Sequence, residues 1–187
     1  MACSEETRQR LLTLIKEKAL QVGDFVLASG KKSNYYLDCR KVTLDPEGAY
    51  LVASAILDMI ADEEVDAVGG MTMGADPIAG AVAALSFERG RPVRAFLVRK
   101  EPKDHGTRQQ VEGHLGAGVR VVIVDDVATT AGSSLKAIAA LEREIPNIQI
   151  LRVIPIVDRE EGGRANVEGE GYRFTPIFTK TDLGLSM

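Results

Sequence analysis

Residues 121–133, VVIVDDVATTAGS, constrain the fold of this chain more than any other stretch. Val121, Val122, Ile123 and Val124 form a short β-branched run, the pattern of a strand buried on both faces. Asp125 and Asp126 follow at once. Thr129, Thr130, Ala131, Gly132 and Ser133 then open a segment in which Leu135, Ile138, Ala139 and Leu141 keep helical spacing. A strand passing through a small, hydroxyl-rich turn into a helix offers outward backbone N–H groups and the positive end of a helix dipole, which together hold a phosphate. The acid pair would repel that phosphate, so something hydroxyl-rich or positive must lie between. A ribose with a 5′-phosphate, and a magnesium pyrophosphate on its other side, meets the requirement. The same residues also fit a plainer reading, an acid pair at a strand end capping a helix, as in any doubly wound α/β protein.

A chain of 187 residues is long enough for a real core and is expected to form one domain. A net charge of -4, no Trp and few aromatics give no reason to expect nucleic-acid or membrane binding. Cys3 and Cys39 make no spacing pattern, which suits a reducing compartment. No apolar stretch approaches membrane length, and residues 4–10 are polar and charged, unlike a signal peptide. The expected location is the cytoplasm.

Along the chain, Ser4 is a candidate N-cap for a helix whose Leu11, Leu12, Ile15, Ala19 and Leu20 recur at helical spacing. Residues 25–27 and 34–38 read as two strands around a basic turn, with the adjacent pair Tyr35 and Tyr36 on the second. Asp45-Pro46-Glu47 opens another helix. Residues 65–68 form a short strand, then a glycine-rich turn, GGMTMGADP, leads into a helix over 78–87. A strand over 93–98 runs into residues 99–113, where apolar periodicity is lost and Arg99, Lys100, Lys103, His105 and Arg108 cluster. A loop of that length inside a compact domain is usually functional or disordered. Residues 148–157 form the next strand, and residues 172–181 alternate as a strand would. This order predicts a doubly wound, mainly parallel sheet flanked by helices, with a small hood at about 20–42 and 158–187.

The 121–133 stretch resembles the phosphoribosyl-pyrophosphate (PRPP) motif of type I phosphoribosyltransferases. Three further segments resemble the orotate phosphoribosyltransferases in particular. Ser29, Gly30, Ser33 and Tyr36 match their S-G-x-x-S-x-x-Y hood signature. Arg99, Lys100, Lys103 and His105 match their R-K-x-x-K-x-H-G loop, and residues 158–163 match D-R-x-E-G-G. The chain departs from the pattern at Ala28 and Gly74, where many members carry lysine.

The resemblance implies transfer of phosphoribose from PRPP to orotate. It implies that PRPP is held by Arg99, Lys100, Lys103, His105, Asp125, Asp126, Val127, Ala128, Thr129, Thr130, Ala131, Gly132 and Ser133. Asp125, Asp126, Lys103 and His105 would serve the chemistry, and Thr129, Arg159, Tyr35 and Tyr36 would hold orotate. Magnesium would ride in on PRPP without a dedicated protein site, and the basic loop would act on the partner's site in a homodimer. A purine or uracil phosphoribosyltransferase and a non-catalytic PRPP-sensing regulator are the alternatives. A receiver-type phosphoacceptor domain also places two acids at a strand end, but at its first strand, whereas several precede this one.

Overall fold

The computed structural model describes residues 5–26, 32–101 and 109–185. Helix α1 (Glu5–Leu14) has two acids in its first turn and continues through a π-helical turn, Ile15–Ala19. A hairpin follows, β1 (Leu20–Val26) antiparallel to β2 (Lys32–Leu37), and it forms a two-stranded sheet of its own. β1 begins at Leu20, ahead of the expected Phe25, because a register shift between Val22 and Phe25 absorbs Gly23 and Asp24. After the short α2 (Arg40–Thr43) comes α3 (Pro46–Met59). Asp45 caps α3, accepting from the amides of Glu47 and Gly48, each at 3.1 Å, and Pro46 supplies the preset first turn.

The main sheet is built from β3 (Ala67–Met71), β4 (Arg94–Val98), β5 (Val111–Glu112), β6 (Arg120–Ala128), β7 (Gln149–Asp158) and β8 (Phe178–Thr179), with α4 (Asp76–Glu88), α5 (Gly132–Glu144) and α6 (Gly163–Gly169) between them. The spatial order is β5-β4-β3-β6-β7-β8, parallel except for β5. This is the expected mainly parallel α/β architecture. Side chains of β6 alternate between two apolar layers. Val122 and Val124 join α1, α3 and α4 on one side, while Val121 and Ile123 join α5 and Phe174 on the other.

Three elements differ from their sequence pattern. The Gly69-Gly70 pair lies inside β3: a Cβ on either residue would run into a main-chain carbonyl, of Phe96 or Val124. Those glycines serve close strand packing, and the turn falls at residues 72–75, where the Thr72–Met73 peptide is cis. β6 runs on through Asp125 and Asp126 to Ala128, paired with β7, so the acids stand on the strand itself. The tail does form a strand, but β8 extends the main sheet beside β7, not the hairpin.

The chain leaves β3 through α4 to reach β4 on one side, then returns to place β6 on the other side of β3. The carboxyl ends of β3 and β6 therefore flank the point where the winding reverses, which is where open α/β sheets leave a ligand crevice.

Candidate active site

A cleft of about 310 Å³ opens at that point. Tyr36, Asp38 and Arg40 reach it from the end of the hairpin, and Thr72, Met73 and Gly74 from the turn after β3. Lys100 enters from the segment after β4; Asp125, Asp126 and Val127 come from β6, and Ser133 from the start of α5. Four separated stretches of sequence thus converge on one crevice. A Cβ at Gly74 would stand 2.7 Å from Asp126 Oδ1 and 3.0 Å from Asp125 Oδ1, so the turn lies directly against the acid pair.

Asp125 is almost fully buried. The Ser133 hydroxyl donates to its Oδ2 at 2.5 Å, the Ser134 hydroxyl at 3.3 Å, and the Asp126 amide donates to Oδ1 at 3.0 Å. Burial is the largest influence on its carboxyl, opposed by the Ser133 bond and reinforced by the charge of Asp126, and it is pushed up to about 7. A carboxyl near neutrality, flanked by a second acid and small hydroxyls, suits hydrogen bonding to a polyol.

Between β6 and α5 the chain turns sharply. Ala131 adopts a left-handed φ of 56° before α5 begins at Gly132. The Asn166 side-chain amide donates to the Thr130 carbonyl at 2.9 Å, and Gly163 passes so close that a Cβ would lie 3.1 Å from the Thr129 carbonyl. Thr129 is half-buried, Thr130 exposed and Ala128 buried. The loop thus wraps the N-terminus of α5, a helix long enough to present a dipole to an anion.

Arg159 is buried beside this loop. Its amide donates to the Ala128 carbonyl at 2.8 Å, and its Nε donates to Glu161 Oε1 at 2.9 Å. The guanidinium lies 4.7 Å from the Tyr35 ring centroid, a cation–π geometry. Burial raises the Tyr35 phenol above its ordinary range, against the pull of Arg159. Tyr36 is more exposed and packs near Phe25, with ring centroids 5.8 Å apart.

Of the residues singled out in the sequence, the structure gathers Asp125, Asp126, Val127, Ser133, Lys100 and Tyr36 around the cleft and pairs Tyr35 with Arg159 nearby. Arg99 instead pairs with Glu112 of β5 at 3.2 Å. Lys103 and His105 lie outside the described residues. The sequence pattern gave no notice of Asp38, Arg40 or Asn166, whereas Glu161 stands in the D-R-x-E-G-G match. Only the D-x-R spacing at 38–40, directly after the Tyr pair, could have drawn attention to the first two.

Residues 44–169 match the model of the phosphoribosyl transferase domain family. The chain is 46% identical to the orotate phosphoribosyltransferase of Aquifex aeolicus, over 94% of this chain and 97% of that protein. It is 44% identical to the Rhodopirellula baltica orotate phosphoribosyltransferase, over 94% and 93%. Among solved structures, the Mycobacterium tuberculosis orotate phosphoribosyltransferase in complex with PRPP is similar with a TM-score of 0.80 and 34% identity, covering 96% of this chain and 99% of that one.

Proposed function

The chain belongs to the orotate phosphoribosyltransferases of the phosphoribosyltransferase family, and from that membership we infer that it joins orotate to the phosphoribosyl group of PRPP, releasing pyrophosphate. The observation that supports the reading is one of place: the acid pair and the start of α5 line the cleft at the winding reversal of the sheet, and Arg159, stacked on Tyr35, hydrogen-bonds the Ala128 carbonyl in the adjoining loop.

The 5′-phosphate takes the backbone and hydroxyls of residues 128–133, with the helix dipole behind them. The ribose hydroxyls lie against Asp125 and Asp126. As the bond from C1 to pyrophosphate lengthens and orotate nitrogen approaches, positive charge spreads over the ribose ring. Fixed carboxylates below the ring stabilise that charge more than they stabilise the ground state. Orotate arrives as an anion, so no strong base is required. Arg159 pairs with its carboxylate, a planar match that lysine would not reproduce, while Tyr35 fixes the guanidinium and Tyr36 and Thr129 complete the base pocket.

A magnesium ion would be bound mainly by pyrophosphate oxygens and water, with Asp125 and Asp126 as carboxylates in the same cleft. Bound there, magnesium would neutralise the departing pyrophosphate. Lys100, with Arg99, Lys103 and His105, is assigned to the same leaving group. The loop carrying Lys103 and His105 acts on the partner's site in a homodimer and excludes water from PRPP. No helix is long and apolar enough to cross a membrane among the described residues, and we place the enzyme in the cytoplasm.

Arg159→Ala tests the assignment of the base pocket. Orotate affinity should fall about tenfold or more, the worth of a charge-assisted hydrogen bond, with PRPP affinity within about twofold. Equal losses for both ligands would show that Arg159 does not face the carboxylate.

A further inference from the structure

We propose that Arg40 binds the pyrophosphate of PRPP and that Asp38 is the residue that positions it. This deepens the functional reading above and rests on it.

The guanidinium of Arg40 is held as a fork. Its Nε donates to Asp38 Oδ1 at 2.8 Å and its Nη2 to Asp38 Oδ2 at 3.0 Å, while the Arg40 amide also donates to Oδ1 at 3.2 Å. That arrangement fixes the plane of the group and leaves Nη1 without a hydrogen-bond partner among the described residues. Both side chains line the cleft, where the carboxylates Asp38, Asp125 and Asp126 face the cations Arg40 and Lys100. Among the described residues that line the cleft, Arg40 and Lys100 are the cations that can meet a pyrophosphate, beside the loop already assigned to it.

The turn after β3 does not supply positive charge, because Gly74 carries no side chain and Thr72 and Met73 are uncharged. Arg40, at the start of α2, lines the same cleft beside Lys100 and supplies a cation from a different element. The field of Asp126 reaches it, which fits a place close to the ribose subsite.

Position also selects which anion it meets. Arg40 and Met73 line the cleft together and also share a neighbouring cavity with Asp76 and Pro77, just after β3. The 5′-phosphate is assigned to the loop between β6 and α5. The anion on the β3 side is the pyrophosphate, whose oxygens suit a preset guanidinium edge.

The test is titration of magnesium pyrophosphate, without orotate, into the wild-type protein and into Arg40→Ala, Arg40→Gln, Arg40→Lys and Asp38→Asn. The proposal predicts a dissociation constant raised about tenfold or more by Ala and Gln, partly restored by Lys, and raised less by Asp38→Asn. Binding of orotate and of ribose 5-phosphate should stay within about twofold of wild type. Gln keeps the length of the side chain and decides the matter if the Ala variant does not fold. Pyrophosphate affinity unchanged in Gln or Ala would overturn the assignment while wild-type turnover of orotate left the functional reading standing. Equal losses for pyrophosphate and ribose 5-phosphate would overturn it in favour of a contact to the 5′-phosphate. A wild-type protein that neither binds pyrophosphate nor turns over orotate would overturn both.

Discussion

Asp125 holds its proton far above the pH at which an exposed aspartate gives it up. Its value in the folded chain, about 7, exceeds the ordinary 3.8. Between those values the folded chain keeps a proton that the unfolded chain has lost. Stability from this group is therefore complete below about pH 4, falls as pH rises toward 7 and levels off above. Urea unfolding of the wild type and Asp125→Asn at pH 5 and pH 8 should show the wild type losing stability relative to the variant over that interval. Parallel behaviour would mean that Asp125 is not the titrating group. Ribose hydroxyls donating to the carboxylate favour its ionised form. PRPP affinity should accordingly rise through pH 7 more steeply in the wild type than in the variant, the comparison removing the titration of the substrate's own phosphates.

The elements show what sequence pattern can and cannot convey. Val121 to Val124 read as a doubly buried strand because both faces of β6 are covered, and Asp45-Pro46 read as a helix start because the cap is chemically local. β1 and the extent of β3 were harder to see, since Gly23, Gly69 and Gly70 carry strand signals only once their neighbours are in place. Around the cleft, Lys100, Asp125, Asp126 and Ser133 were legible from their motifs, and Arg40 was not. Its role depends on a cleft that forms only when the hairpin end meets the turn after β3. Two glycine substitutions separate packing from chemistry. Gly69→Ala forces a methyl into the Phe96 carbonyl and should cost about 3 kcal/mol of stability, read as a lower urea midpoint. Gly74→Ala meets the acid pair instead, and should lower PRPP affinity about tenfold or more while the urea midpoint moves little. A Gly74→Ala variant with wild-type PRPP affinity would remove the acid pair from the PRPP site.

For the whole molecule, the central matter is whether the sheet's winding reversal hosts this one reaction, completed by a second subunit. If the Lys103 loop acts in trans, Lys103→Ala and Asp125→Asn subunits should each be nearly inactive alone. Mixed and re-associated, they should recover about a quarter of wild-type activity, since half the molecules are mixed dimers and each of those holds one intact site. No recovery on mixing would put the loop in its own subunit's site. The most direct test is the magnesium-dependent fall in orotate absorbance on adding PRPP, with uracil, hypoxanthine and adenine followed in parallel by pyrophosphate release. Turnover with orotate alone is the predicted result. Turnover with another base, or tight PRPP binding with no turnover on any base, would contradict it.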